Sequence, residues 1–100
     1  MKPPLQPAEL ERVCSVLRRH PEVRRATLFG SRAKGTHNDR SDVDLALAGD
    51  LKPLRAEAIS SELDELPLPY HFEVQALNHI HHLPLREHIE RVGVVIYSAV

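Results

Sequence analysis

Apolar residues recur along the chain at helical spacings in some segments and in short β-branched runs in others. The first helical pattern begins at Pro7, which fits the first turn of a helix, and ends near His20. Its apolar stripe consists of Leu10, Val13, Cys14 and Leu17. Because Cys14 lies on this stripe, we interpret it as a small buried hydrophobe rather than as a reactive thiol.

Three segments have the β-branched and aromatic content that is typical of strands, over residues 23–29, 42–48 and 70–77. Gly30 interrupts the chain after the first of them, and Ser31 is placed to cap a short helix there. After Gly93, the sequence "VVIY" predicts a short fourth strand at an edge of the sheet.

Two longer helical patterns separate the later strands. One begins at Pro53 and ends at "LPLP", and its predicted inward face consists of Leu54, Ala58, Ile59 and Leu63. The other covers about residues 84–92, with an inward face of Leu85, Ile89 and Val92. This alternation predicts a single domain over residues 1–100 of the α/β (α+β) class, with helices packed against a small mixed β-sheet of three to four strands.

Composition and charge exclude several classes of function. The net charge is −1, which gives no overall attraction to nucleic acid or to an anionic membrane. No apolar run approaches the roughly 20 residues of a membrane span, so we expect no membrane association. One cysteine, Cys14, excludes an internal disulfide, and no charged-then-apolar leader is present, which together indicate a cytoplasmic protein.

Two aspartates one residue apart begin the second predicted strand. Asp42 and Asp44 would project from one face of it, about 6.6 Å apart along the backbone, while Val43 and Leu45 face the core. With their oxygens about 5 Å apart, the two charges repel by roughly 3 kcal/mol at an effective dielectric of about 20. A hard divalent cation would relieve this repulsion, although two solvated acids are the simpler interpretation of an isolated D-x-D motif.

The segment "GSRAKG" strengthens the interpretation as a ligand site. Gly30 lets the backbone approach a phosphate closely, and the Ser31 hydroxyl can donate to it, with Arg32 and Lys34 as cationic donors beside them. Its glycine spacing matches half of a Walker loop, but Thr36 stands where that loop needs lysine, so we reject that interpretation. A phosphate cradle beside a carboxylate pair is the minimum equipment for nucleotidyl transfer.

The Gly-Ser step, followed by ten residues and then D-x-D, resembles the signature of the DNA polymerase beta superfamily of nucleotidyltransferases. The short chain resembles the minimal (MNT) branch of that superfamily through "LFGSRAKG", "SDVDLAL", "HFEVQAL" and "LREHIERVGVVIY". This implies the polymerase-beta-like nucleotidyltransferase fold. The family carries a third carboxylate, commonly aspartate, on a later strand, where this chain has Glu73. The longer side chain implies either a strand that is set back or a weak third ligand, and an exposed strand acid without a role is the alternative.

The resemblance also implies the reaction. A nucleoside triphosphate, by default ATP, loses pyrophosphate as its monophosphate passes to an acceptor hydroxyl. The implied roles are catalysis and ligation of two Mg²⁺ or Mn²⁺ ions for Asp42, Asp44 and Glu73, and nucleotide binding for Gly30, Ser31, Arg32 and Lys34. Glu73 would complete the metal that activates the nucleophile. No dedicated general base is required.

The resemblance further implies a partner, because minimal members of the superfamily often pair with an all-helical HEPN protein as a prokaryotic toxin-antitoxin system. We therefore expect an antitoxin that modifies a HEPN toxin, an activity of the protein adenylyltransferase type. The alternative is a catalytically weak binding module that neutralises its partner by forming a complex. Self-association into a homo-oligomer is left open.

Other polar clusters have simpler interpretations. Three histidines occur in the run "NHIHH", namely His79, His81 and His82, and solvated loop residues are favoured over a zinc site. We interpret His37 as a flexible loop histidine, and His71 as a neighbour of Glu73 on the same strand face. Four arginines surround the first helix-strand turn, namely Arg18, Arg19, Arg24 and Arg25. A nucleic-acid adaptor built on these arginines is a third hypothesis, less favoured than a solvated surface.

Overall fold

A computed structural model of the chain describes residues 4–38 and 40–99. Its elements are α1 (Pro7–Leu17), β1 (Val23–Phe29), α2 (Ser31–Lys34), β2 (Val43–Gly49), α3 (Pro53–Asp64), β3 (Phe72–Ala76), a 3₁₀ turn (Leu77–His79), α4 (Leu83–Val92) and β4 (Val94–Ser98). The predicted limits of the domain, Met1 and Val100, lie outside the described residues. None of the helices in the described part of the chain has the length and apolar character to cross a membrane.

The four strands form one mixed sheet in the order β3-β2-β1-β4. β1 pairs antiparallel with both β2 and β4, whereas β2 and β3 are parallel. A parallel pair requires a crossover connection, which α3 supplies. The sheet confirms the predicted α+β class, including the short edge strand after Gly93.

The two faces of the sheet bury side chains of different sizes. The larger apolar cluster joins one face to α1 and α3, and it includes Leu17, Leu28, Leu45, Ile59 and Leu63, all fully buried. The opposite face carries a smaller cluster, Phe29, Ala46, Ile80 and Ile89, to which α4 contributes Ile89. Because successive strand residues alternate between faces, α1 and α3 cover the first face and α4 covers part of the second.

The α1 stripe is confirmed at its cysteine. Cys14 is buried, and its thiol donates to the Ile96 carbonyl at 3.4 Å. Burial raises the pKa of Cys14, which keeps the sulfur protonated and unreactive.

The predicted inward face of α3 is partly wrong. Leu54 is 78% exposed and Ala58 is also exposed, whereas Ala56, Ile59 and Leu63 are buried. At about 100° per residue, the three buried positions share one side of the helix, and Leu54 lies about half a turn away from Ala56. The spacing of large apolar residues misled the prediction because the small Ala56 is the residue that packs at the start of the helix.

Candidate active site

The strand register brings the predicted acidic residues to one end of the sheet. Asp44 pairs with Phe29 of β1 on one side and with Glu73 of β3 on the other. Asp42 immediately precedes β2 and is exposed. Burial raises the pKa of Asp44, and the charges of Asp42 and Glu73 raise it further. Asp44 is therefore close enough to Asp42 and to Glu73 for their charges to act on it, as the D-x-D pattern predicts for the two aspartates.

The Gly30-Ser31 turn lies directly against Asp44. Gly30 has φ +77° and ψ −154°, a conformation that is essentially restricted to glycine. A Cβ atom on Gly30 would overlap the carboxylate of Asp44. Glycine is therefore required here both by its backbone angles and by the space that Asp44 occupies, and the end of β1 meets the start of β2 at this contact.

The sequence suggested that Ser31 caps the short helix. In the structure, Ser31 is instead the first residue of that helix. Gly30 occupies the N-cap position, and no side chain caps the helix. Within residues 4–38 and 40–99, no hydrogen bond involves the hydroxyl of Ser31, a half-buried residue that follows the Gly30 contact with Asp44. The hydroxyl is therefore available to a ligand, which suits the phosphate role better than the capping role.

Arg32 is engaged with the protein itself instead of facing a ligand. It is 4% exposed, and its guanidinium donates to the carbonyl of Ser41 at 3.0 and 3.2 Å and to that of Pro4 at 3.0 Å. It also stacks over the ring of Tyr70, 4.2 Å from the centroid. These contacts hold α2 against the segment that leads into β2, and they occupy the guanidinium group that the sequence predicted to bind the nucleotide. Lys34 keeps an exposed side chain.

Glu73 is exposed and already has a hydrogen-bond partner. His71 Nε2 lies 2.8 Å from Glu73 Oε1, and His71 Nδ1 lies 3.5 Å from Asp64 Oδ2. The hydrogen bond to Glu73 is the main cause of a raised pKa of His71. His71 therefore borders the acidic site, as its position on the strand indicated, and holds the carboxylate of Glu73 from one side.

The donor chemistry of the acidic site suits a hard divalent cation. Asp42 and Asp44 offer only oxygen ligands, and burial, with the charges of Asp42 and Glu73 added to it, raises the pKa of Asp44, so a cation would stabilise its ionised form. Across the described ranges, no three His, Cys, Asp or Glu side chains are already arranged around one metal position. The residues therefore fit the ion as a pair, Asp42 and Asp44, and Glu73 would become a third ligand only by moving toward them.

His88 is a residue of this site that sequence reasoning missed. The backbone N–H of Gly30 donates to His88 Nε2 at 3.3 Å, and the imidazole meets the ring of Phe29 edge-on, with centroids 6.3 Å apart and planes at 80°. The signal in the sequence was its position: His88 is three residues after Leu85 and next to Ile89, at the border of the inward face of α4.

The remaining polar clusters are on the surface, with one exception. His79, His81 and His82 are exposed, and so are the arginines at positions 18, 19, 24 and 25. Arg18 lies 3.3 Å from Glu11 on its own helix. His37 is only 8% exposed, so the burial of its side chain contradicts its interpretation as a flexible loop histidine. The loop that carries His37 is held to α2 at Ser41, and it folds the ring into the protein.

Known proteins share the fold of this chain. The family described as "Polymerase beta, Nucleotidyltransferase" matches residues 11–99. A chain from a toxin-antitoxin complex with AMP-PNP is 19% identical, with a TM-score of 0.77 over 90% of this chain and 73% of that chain. A chain from the MntA-HepT toxin-antitoxin complex is 16% identical, with a TM-score of 0.72 over 94% of this chain and 74% of that chain.

A third similar structure comes from Shewanella oneidensis. It is the complex of a tri-AMPylated HEPN toxin with an MNT antitoxin, and the matching chain is 16% identical, with a TM-score of 0.73 over 95% of this chain and 74% of that chain. No curated protein has a significant sequence match to the chain. At these identities, the three structures establish a shared fold.

Proposed function

Because the chain belongs to the polymerase beta nucleotidyltransferase family, we propose that it transfers AMP from ATP to a hydroxyl group of a HEPN-family toxin. The observation that carries the proposal is the contact between Gly30 and Asp44, because it sets the turn suited to phosphate beside the carboxylates suited to a metal ion. A metal-bound triphosphate is a single ligand that needs both parts of such a site.

In this mechanism each residue of the site has one role. Asp42 and Asp44 would hold the divalent cations, Mg²⁺ or Mn²⁺, with Glu73 as a further ligand. The bound ions would neutralise the triphosphate and make the acceptor hydroxyl more acidic. Ser31 would donate its hydroxyl to the β and γ phosphates, and Lys34 would supply a positive charge beside them.

The reaction balances without a dedicated general base. The acceptor oxygen attacks the α-phosphorus of ATP in line with the leaving group, and a new phosphorus–oxygen bond forms. The bond between the α-phosphorus and the bridging oxygen breaks, and pyrophosphate leaves with the electron pair. The hydroxyl proton passes to solvent. The protein contributes by holding the triphosphate and the cations in one orientation.

The proposed partner is supported by the similar structures. One is a toxin-antitoxin complex with AMP-PNP, and another is the MntA-HepT toxin-antitoxin complex. A third contains a tri-AMPylated HEPN toxin with an MNT antitoxin.

Labelling with ATP tests the proposal. The protein is incubated with Mg²⁺, a HEPN protein from the same genome and ATP labelled at either the α or the γ phosphate. We expect label on the HEPN protein from α-labelled ATP and none from γ-labelled ATP. The variant Asp42→Asn/Asp44→Asn should lose the labelling, whereas Asp50→Asn, an exposed acid just beyond the other end of β2, should keep it. Labelling from γ-labelled ATP, or labelling that survives loss of both acids, would contradict the proposal.

One observation favours the alternative, a binding module that neutralises its partner without catalysis. Glu73 is hydrogen-bonded to His71, so the third carboxylate is not preassembled with the other two. In that case the Asp42→Asn/Asp44→Asn variant should still suppress the toxicity of the HEPN partner in cells. Under the transferase proposal, the same variant should lose most of its protection.

A further inference from the structure

The proposed function leaves unexplained why α4 directs a histidine at the backbone of the Gly30-Ser31 turn. The N–H of Gly30 donates to His88 Nε2, although the same N–H is a donor that a phosphate could use. A nitrogen that accepts a hydrogen bond carries no proton, so the ring proton of His88 is on Nδ1 in this arrangement. His88 thus acts as an acceptor at the edge of a site that is otherwise rich in negative charge.

We propose that His88 is a positioning residue, which fixes the peptide of Gly30 so that Ser31 faces the phosphates; this inference rests on the proposed function. His88 acts through the Gly30 N–H and does not itself contact the reacting atoms. Gly30 is then the residue at which His88 holds the turn. Ser31 and Lys34 are the residues that donate hydrogen bonds to the phosphates.

Gly30 needs such an external restraint. It has no side chain, and glycine adopts many backbone conformations at similar energy, so its angles of φ +77° and ψ −154° are not set by its own chemistry. The Asp44 carboxylate, which fills the space where a Cβ would lie, limits the turn from one side. His88 holds the N–H of the Phe29–Gly30 peptide, and the Gly30 carbonyl accepts from the Lys34 N–H, so the peptides on both sides of Gly30 are restrained at the turn.

His88 is itself placed on a rigid support. It precedes Ile89, which is 4% exposed and anchors α4 to the second face of the sheet. Its ring also meets Phe29, the last residue of β1 and the neighbour of Gly30. Because His88 lies on α4 and its ring contacts the end of β1, its imidazole has a fixed position beside the turn.

The test exploits the different reach of two amides. In His88→Gln the side-chain oxygen can take the place of Nε2 and accept from Gly30, whereas in His88→Asn it is too short to do so. We expect His88→Ala and His88→Asn to raise the KM for ATP by about five- to tenfold, as for one lost hydrogen bond, with kcat within about twofold. His88→Gln should stay close to the wild-type protein. His81→Ala, which removes an exposed histidine just before α4, is the matched control and should change neither value.

A second measurement does not depend on catalysis. Hydrogen exchange of the Gly30 amide, followed by NMR without nucleotide, should accelerate in His88→Ala and His88→Asn and remain slow in His88→Gln. The inference would be overturned if the Gly30 amide exchanged as slowly in His88→Ala as in the wild-type protein. It would also be overturned if His88→Gln raised the KM for ATP as much as His88→Ala does.

The two proposals can fail separately. If the wild-type protein transfers no AMP, the proposed function fails. The positioning role is then decided by exchange at Gly30 together with the Kd for α,β-methylene-ATP, which the same variants should weaken in the same order. If transfer is intact and all His88 variants match the wild-type protein, only the positioning role fails.

Discussion

At the scale of single residues, the acidic site contains contacts that destabilise the folded protein. Asp44 lies between the charges of Asp42 and Glu73 and against Gly30, and burial raises its pKa. An ionised carboxylate in such a place costs the folded state free energy, which a bound cation would recover.

The first prediction concerns Asp44→Asn. The pKa of Asp44 is higher in the folded protein than its ordinary value of 3.8, which applies to the unfolded chain. The unfolded chain therefore loses this proton more readily, and the folded protein becomes less stable as the pH rises above 3.8. Asparagine removes this charge at nearly equal size. We expect the variant to melt a few degrees higher than the wild-type protein at pH 7 in the presence of EDTA, and the difference to shrink as the pH falls toward about 4.

Thermal unfolding followed by circular dichroism at several pH values checks this prediction. Asp50→Asn, at an exposed position, is the control and should shift the melting temperature little. Addition of Mg²⁺ should stabilise the wild-type protein more than Asp44→Asn. An Asp44→Asn variant that is less stable than the wild-type protein at pH 7 would show that the carboxylate makes a favourable contact that this account omits.

In the sequence, the spacing of the motifs predicted which residues lie close together. The charge of a residue did not predict what its side chain contacts. The gap between the Gly-Ser step and the D-x-D motif correctly indicated that the turn meets the second aspartate, Asp44. Arg32 has the charge of a phosphate ligand, but the buried carbonyls of Ser41 and Pro4 take its donors, and local sequence gives no sign of them. His88 was missed because its partner is a backbone N–H that lies 58 residues away along the chain.

At the scale of secondary-structure elements, pattern predicted existence and order better than the orientation of faces. β1 has the bounds that its β-branched content indicated, and β2 begins one residue later than predicted. The face of α3 was wrong at Leu54 because the sheet accepts the side that carries Ala56, Ile59 and Leu63. Which side of a weakly amphipathic helix packs is decided by the surface it meets, which the helix sequence alone does not contain.

The second prediction tests this corrected face of α3. Ile59 is fully buried, so Ile59→Ala removes apolar contacts and leaves a cavity, and we expect a loss of about 2 to 4 kcal/mol in the free energy of unfolding. Leu54→Ala, at an exposed position of the same helix, should cost less than about 0.5 kcal/mol. Urea unfolding measures both. Equal losses for the two variants would contradict the burial of one side of α3.

At the scale of the whole molecule, the strand order explains how residues far apart in sequence reach one site. The antiparallel pairing of β1 and β2 sets the end of the first strand beside the start of the second, and the parallel pairing of β2 and β3 adds Glu73 in register with Asp44. α4 then returns across the second face and brings His88 to the turn. The alternation of elements predicted a mixed sheet, but the register that aligns these positions follows from the packing of both faces together.

The most direct test of the central claim is the crystal structure of the protein with Mn²⁺ and α,β-methylene-ATP, whose α–β bridge is not cleaved. The account predicts an anomalous manganese peak bound by carboxylate oxygens of Asp42 and Asp44, with the phosphates against Ser31 and the Gly30 N–H still donating to His88. Manganese and nucleotide bound elsewhere on the molecule, with the acids and the turn left in solvent, would contradict it.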